Sequence, residues 1–153
     1  MKIRIKKRNS GFVILYAVMI SSIILAITLG VVNISLKEIK FGTSARDTNN
    51  AFFAADAGAE CALYYDRSSP ANNAFTGTAG PNISCAGASI TISGSSPSWN
   101  FIVPGLGSSG QGCAKVNVIK NPSTTIISKG YNNGGASCIQ NSSTVERQLE
   151  VNY

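Results

Sequence analysis

The first 36 residues constrain the fold of this chain more than any other segment. A basic leader over residues 2–10 ends at Gly11, and a nearly unbroken apolar run follows from Phe12 to Leu36. The run is about 25 residues long, which exceeds the ~20 that a helix needs to cross a bilayer. Because Lys and Arg beside a spanning helix stay on the cytoplasmic side, the leader predicts that the C-terminal part is exported.

A cleaved secretory signal peptide is the weaker explanation of this run. Such a peptide has an apolar core of only ~7–15 residues and a small-x-small cleavage site soon after it. Here the core is longer, and the charged residues 37–40 come before the candidate triplet at 43–45. Polar side chains interrupt the run, and a membrane helix tolerates them because they can bond to helix carbonyls or across helices. These side chains are Ser21, Ser22, Thr28, Asn33 and Ser35.

The helix is predicted to continue beyond the apolar run as an amphipathic segment over residues 37–66. No proline occurs before Pro70, and the polar residues 67–69 come directly before it, so the helix should end near Asp66. Seven residues recur at three- and four-residue steps, which places them on one face that packs on the head. They are Phe41, Ala45, Thr48, Phe52, Ala55, Ala59 and Ala62. Residues 67–153 are too few to bury the whole helix, so half of it must lie in lipid or against other copies.

Residues 67–153 are rich in Gly, Ser, Asn and Thr, and they contain short segments of alternating apolar and polar residues. Such alternation predicts strands. The predicted strands are 89–93, 99–103, 114–118, 124–129 and 145–153. Glycine-rich stretches predict loops at 104–112 and 130–143. The expected fold class is therefore α+β, with a long N-terminal helix packed on a small antiparallel sheet. Arg147 interrupts the apolar face of the last strand, so it should reach solvent or pair with a carboxylate.

The composition argues against several classes of function. The chain has no histidine, which removes His-based catalytic triads, the commonest general base and most zinc sites. Five of the thirteen Lys and Arg residues lie in the leader, and without them eight basic residues face seven acidic ones. A nucleic-acid-binding role would need a basic patch, for which this balance leaves little. We therefore expect no enzymatic activity, no cofactor, no metal and no specific nucleic-acid binding.

Four cysteines lie in the part that is predicted to be exported: Cys61, Cys85, Cys113 and Cys138. An even number in an oxidising compartment predicts two disulfides, whereas the absence of CxxC spacing and of histidine argues against a metal site. Three pairings are possible. We favour Cys61 with Cys85 and Cys113 with Cys138, because nearby cysteines close short loops.

The leader, Gly11 and the sequence Phe12-Val13-Ile14-Leu15-Tyr16-Ala17-Val18 together resemble the class III signal of type IV pilins and pseudopilins. In that family a prepilin peptidase cuts after the glycine and methylates the new N-terminal phenylalanine. The resemblance implies that residues 1–11 are a cleaved leader, that cleavage falls between Gly11 and Phe12, and that Phe12 is N-methylated. The long helix, the β-rich head and the disulfides fit the same family.

Two further features resemble this family, and one residue departs from it. The sequence Ala54-Ala55-Asp56-Ala57-Gly58-Ala59-Glu60 looks like the A-A-E-A-G-type stretch of PilX-like minor pilins, and the two C-terminal strands resemble the way those chains end. Most pilins carry glutamate as the fifth mature residue, where it pairs with a neighbour's N-terminal amine, but Tyr16 stands there. A phenol does not neutralise an ammonium near pH 7, so this departure leaves open whether the subunit is major or minor.

The resemblance implies a structural subunit of a type IV pilus or related filament, serving adhesion, motility, DNA uptake or secretion. Its partners would be other pilins in a homo- or hetero-oligomeric filament, the prepilin peptidase and the inner-membrane assembly platform. The subunit would first be a single-pass protein of the cytoplasmic membrane with its head outside, and later part of an extracellular filament. The alternative is a monomeric membrane-anchored extracellular binding protein with an uncleaved signal anchor.

Overall fold

A single helix, α1, runs from Gly11 to Arg67 over 57 residues. The computed structural model describes residues 11–68, 73–77 and 81–153, so the leader expected at residues 1–10 lies outside the described part. Polar residues end the helix one residue beyond the predicted position. The Asn73 side-chain amide donates to the Asp66 carbonyl oxygen at 2.8 Å, which satisfies one of the carbonyls that a helix end leaves without a partner.

Contacts divide the chain into two compact units, one ending at Thr43 and one from Ser44 to Tyr153. In its described part the first unit is helix throughout, whereas the second contains the rest of α1 and all the strands. The sequence-based division gave residues 37–66 a segment of their own and began the head at residue 67. The contacts instead assign the last part of α1 to the same unit as the sheet.

In the described part of the head, the unit from Ser44 to Tyr153, seven strands follow α1. They are β1 (Asn82–Cys85), β2 (Ala88–Thr91), β3 (Ser93–Ser95), β4 (Ser98–Leu106), β5 (Gly112–Lys120), β6 (Thr124–Tyr131) and β7 (Glu146–Asn152). Strands β3 to β7 form one antiparallel sheet in chain order, and β1 pairs with β2 in a separate two-stranded sheet. A short 3₁₀ helix, Gly135–Ser137, lies between β6 and β7. The expected α+β class, with a long helix packed on a small antiparallel sheet, is confirmed.

Several strand boundaries differ from the prediction. The segment 89–93 is divided between β2 and β3, which belong to different sheets, and β1 was not predicted. The loop expected at 104–112 is shorter, because β4 continues to Leu106 past an irregularity in its register and β5 begins at Gly112. The loop expected at 130–143 also begins later, since β6 ends at Tyr131. Glycine is tolerated at these strand ends where a neighbouring backbone comes close, so its presence alone did not mark a loop.

The core of the head lies between α1 and the sheet. Alternate residues of β4, β5 and β6 face the helix and are fully buried, whereas their neighbours remain partly exposed. Three buried aromatic side chains lie in this core, and the ring of Phe75 is about 6 Å from the ring of Trp99 and from that of Phe101. Trp99 also donates from its indole nitrogen to the Gly77 carbonyl at 3.2 Å. The core is therefore closed by the segment that follows α1 as well as by the sheet.

The helix face that packs on the sheet consists of small residues. It contains Ala51, Ala54, Ala55, Gly58, Ala59 and Ala62, all of which are buried. The prediction was correct for Ala55, Ala59 and Ala62, and Thr48 is partly exposed. It was wrong for Phe41, Ala45 and Phe52, which are exposed. Within the head, side-chain size determines which face of α1 packs on the sheet. Only Ala and Gly let the helix backbone approach the sheet this closely, so Phe52 points away, whereas Phe41 belongs to the unit that ends at Thr43.

Candidate functional site

The proposed processing junction lies at the beginning of the described chain. Gly11 is the first residue of α1, and Phe12 directly follows it with 75 % of its surface exposed. No described atom lies within 4 Å of the position that a Cβ on Gly11 would take. An alanine therefore fits at this position without disturbing the described structure, so a substitution there tests recognition by a peptidase and not folding.

The apolar run from Phe12 to Leu36 is exposed on every side of the helix. None of its residues is buried within the chain, and its large apolar side chains each keep 40–75 % of their surface accessible. By length and composition this helix can cross a membrane. A contiguous apolar surface of this extent is not stable in water, so it requires lipid or other protein chains around it.

Hydroxyl groups within the apolar run are satisfied by the helix itself. Four side chains donate to carbonyl oxygens one turn earlier, at 2.8–3.0 Å: Ser21 to Val18, Ser22 to Met19, Thr28 to Leu25 and Ser35 to Val31. A polar group in an apolar environment is costly unless it is hydrogen-bonded. These bonds therefore make the hydroxyls compatible with a membrane or with a dry interface between helices. Asn33, the fifth polar residue predicted there, is exposed.

Tyr16 is the residue that the resemblance to pilins would align with their usual glutamate. It lies in the exposed apolar run, and 58 % of its surface is accessible. Its phenol is therefore on the surface that would face lipid or another subunit.

Both disulfides of the head have the favoured pairing. Cys61 is joined to Cys85, and Cys113 to Cys138, with Cα atoms 6.0 Å and 5.7 Å apart. These separations fall within the usual range of ~4.4–6.8 Å. The first bond connects α1 to β1, and the second connects β5 to the segment that follows the 3₁₀ helix. The two bonds therefore attach to the core the parts of the head that lie outside the five-stranded sheet.

The seam between α1 and the sheet is built on two glycines. A Cβ on Gly58 would lie 2.5–2.9 Å from side-chain atoms of Ser128, Ala114 and Val116. On the sheet side, a Cβ on Gly130 would overlap the backbone of α1 at Ala51 and Ala55. Real Cβ contacts are not this short, so the close approach of helix and sheet requires glycine at both positions.

A charged cluster joins the end of α1 to the last strand. The carboxylate of Asp66, which is nearly buried, forms an ion pair with Lys120 and accepts a hydrogen bond of 2.6 Å from the Tyr153 hydroxyl. The Arg67 guanidinium lies 4.2 Å from the centre of the Tyr153 ring. Burial, together with the hydrogen bond to Asp66, raises the pKa of Tyr153 to about 12. Sequence reasoning missed this cluster, because its members are far apart in the chain and no local pattern connects them.

A second charged cluster lies near the start of β7. Glu146 accepts a hydrogen bond from Gln140 at 3.0 Å and pairs with Lys129 at 3.3 Å. Burial alone would raise the pKa of Glu146, but hydrogen bonds from Tyr131 and Lys129 outweigh it and lower that pKa. Arg147 does not pair with a carboxylate as one alternative proposed. Its guanidinium donates instead to the Thr48 hydroxyl of α1 at 3.3 Å.

The aromatic residues considered for an adhesive surface divide into two groups. Trp99, Phe101 and Tyr131 belong to the buried core, whereas Tyr64 is exposed. Tyr65 connects α1 to β1, because its hydroxyl exchanges hydrogen bonds of 3.0–3.2 Å with the Ser84 backbone. Most of this aromatic set therefore belongs to the packing of the head.

In residues 11–68, 73–77 and 81–153, no three Cys, Asp or Glu side chains lie together as a metal site would require. Comparison of the chain with family models, with curated proteins and with solved structures found no match. The function must therefore be argued from the exposed helix and the head alone.

Proposed function

We propose that this chain is a structural subunit of a type IV pilus or a related filament. A prepilin peptidase would cleave it between Gly11 and Phe12, and it would assemble through its N-terminal helix. The observation that carries the proposal is the exposure of the whole apolar run from Phe12 to Leu36 on a chain whose head has its own core. The resemblance of residues 1–18 to the class III signal supports the same role.

The proposed mechanism is assembly and not catalysis. Before assembly, lipid would surround the apolar run and hold the subunit in the cytoplasmic membrane. After assembly, the same side chains would pack against the helices of other subunits, which replaces lipid by protein at similar cost because both are apolar. The internally bonded hydroxyls suit this exchange, since they need no new partner in either environment.

Gly11→Ala tests the processing step. We expect the variant to keep its leader and to be absent from filaments, while the folded head and both disulfides are unchanged. Gly30→Ala is the matched control, because this glycine is also helical and has no described atom near a Cβ. Immunoblots of membranes and of sheared surface material would follow both variants. Normal leader removal in Gly11→Ala would contradict the proposed cleavage.

Tyr16→Glu tests the position of the usual pilin glutamate. We expect incorporation into filaments to be maintained or improved, because a carboxylate can neutralise the N-terminal amine of a neighbouring subunit. The ratio of variant to wild-type subunit in sheared material measures this directly. Strong loss of filaments would show that the phenol has a role that a carboxylate cannot fill.

A further inference from the structure

A groove of about 590 Å³ lies on the face of the five-stranded sheet opposite α1. Its floor is formed by partly exposed residues of β4, β5 and β6, which alternate with the buried residues that face the helix. Lys115 and Lys129 are part of this floor, and Ile102 and Ile127 lie beside them. Small-molecule sites commonly measure ~300–1,000 Å³, so the groove has the size of a ligand site.

The two lysines are directly opposite each other on neighbouring strands. Lys115 of β5 and Lys129 of β6 are register partners. Like charges at such positions destabilise a sheet. Glu146 compensates Lys129 at 3.3 Å, but within residues 11–68, 73–77 and 81–153 Lys115 forms no ion pair. Its ammonium lies 5.5 Å from the centre of the Tyr131 ring, which leaves its positive charge available. The groove is thus complementary to an anion.

The other polar groups of the groove are hydroxyls and amides. They are contributed by Ser89, Thr91, Ser93, Asn100 and Asn117. Most of them already take part in internal hydrogen bonds: Asn117 donates to the Asn100 side chain at 2.6 Å, Thr91 to the Asn82 side chain at 2.9 Å, and Ser93 to the Asn100 carbonyl at 3.2 Å. The oxygens of these hydroxyls and amides keep lone pairs that can accept hydrogen bonds from the hydroxyls of a sugar. The two isoleucines supply an apolar surface for the C–H groups of a sugar ring. This combination fits a carbohydrate that carries carboxylates.

An acidic peptide fits this site less well. Extended peptides usually bind by pairing with the free edge of a sheet. Lys115 and Asn117 belong to β5, which has β4 on one side and β6 on the other, so its backbone groups are already engaged. Only side chains face the groove floor at Lys115. The strands with a free edge that line the groove are β2 and β3, and β3 is separated from β5 by β4, so a peptide paired with that edge would not lie along the strand that carries Lys115.

We propose that this groove binds an acidic glycan, with a uronate carboxylate at Lys115 and sugar hydroxyls at the amide and hydroxyl side chains. The proposal rests on the head alone and holds for a filament subunit or for a monomeric anchor. It therefore stands or falls independently of the processing at Gly11.

Titration calorimetry on the full-length chain in non-ionic detergent tests this proposal, with trigalacturonate and trimannuronate as probes. We expect saturable binding of at least one of them, and affinity that falls when NaCl rises from ~0.05 to ~0.5 M because salt screens the charges. The fully methyl-esterified oligosaccharides should not bind, since they lack the carboxylates. Equal binding of the esters, or no binding of either uronate, would overturn the proposal. Tighter binding of poly-glutamate would also overturn it, in favour of an acidic peptide.

Three variants connect the binding to Lys115. Lys115→Gln should weaken the affinity by about tenfold or more, since a charge-assisted hydrogen bond is lost. Lys115→Arg keeps the charge and should retain binding, which separates loss of charge from loss of folding. Lys40→Gln removes one positive charge from α1 outside the groove and should leave the affinity unchanged. Equal affinities of Lys115→Gln and Lys40→Gln would contradict the assignment.

Discussion

The two parts of α1 share one secondary structure but have opposite surfaces. Between Phe12 and Leu36 large apolar side chains surround the helix, and none is buried within the chain. Between Ala51 and Ala62 the buried side is made only of alanine and glycine, which lie directly on the sheet. Both parts are thus helical, and the size of their side chains determines what each part packs against. Large residues leave a surface for lipid or other subunits, whereas small residues fix the head.

The comparison predicts that disrupting the head leaves the exposed part of the helix unchanged. Trp99 is the only tryptophan of the chain and is buried in the head, so its fluorescence reports on that unit alone. This signal, followed during denaturation in detergent, is the common measurement for the four predictions below.

The largest effect is expected from removing a disulfide. The double variant Cys113→Ser with Cys138→Ser should lower the free energy of unfolding of the head by about 3 kcal/mol, because the bond restricts the unfolded chain. Membrane insertion should be unchanged, since the apolar run contains no cysteine. An unfolding midpoint equal to that of the wild type would show that the bond does not hold the head together.

The next effect is expected at the seam between helix and sheet. Gly130→Ala should cost about 2 kcal/mol, because its methyl group would overlap the α1 backbone, which cannot move aside as a flexible side chain can. Gly77→Ala is the control in the same unit, since no described atom lies within 4 Å of its Cβ position. If both variants unfold at the same denaturant concentration, the close approach of the α1 and β6 backbones does not determine the stability of the head.

A smaller effect, with a distinct pH dependence, is expected from Tyr153→Phe. Loss of the hydrogen bond to Asp66 should cost about 1 kcal/mol near neutral pH. Because the pKa of Tyr153 is raised in the folded state, its contribution is complete below pH 10 and is lost as pH rises towards 12. Stability of the wild type should therefore fall over this range, and that of the variant should fall less. If the stabilities of the wild type and of the variant change with pH in the same way, the Tyr153 hydroxyl does not have this role.

The smallest effect, and the only gain, is expected at Ser128. Its hydroxyl is fully buried beside Gly58 and has no hydrogen-bond partner among the described residues. Ser128→Ala removes the cost of burying that group and should raise the free energy of unfolding by up to about 1 kcal/mol. Thr125→Val is the contrasting control, because the Thr125 hydroxyl donates to the Asn152 side chain at 2.6 Å and its loss should not stabilise. Destabilisation by Ser128→Ala would show that this hydroxyl has a partner.

The sequence was sufficient for the features that local chemistry determines. The apolar run, the end of α1 and the alternating strands depend on composition and period, and the structure has them close to the predicted places. The pairing of the cysteines followed from short loops. The split between β2 and β3 could not be predicted, because the alternation in 89–93 continues across the point where the chain leaves one sheet for the other.

Features that depend on distant residues could not be predicted from sequence either. Periodicity alone left two neighbouring faces of α1 possible, one with Phe52 and one with Ala51. The sheet decides between them, because it lies too close to the helix for the phenylalanine ring to fit. The cluster of Asp66, Lys120 and Tyr153 and the opposed lysines of the groove arise only from strand register. The junction of Gly11 and Phe12 differs from these features, because its residues are adjacent in the sequence but the role that we propose for them would depend on a peptidase and on other subunits.

Mass spectrometry of material sheared from the cell surface tests the central proposal most directly. The account predicts that the N-terminal peptide of this chain begins at an N-methylated Phe12 and that all four cysteines are oxidised. It also predicts that the chain is present together with other pilins in the sheared fraction. A chain that retains Met1 and is found only in membranes would contradict filament assembly and would identify the apolar helix as a permanent anchor.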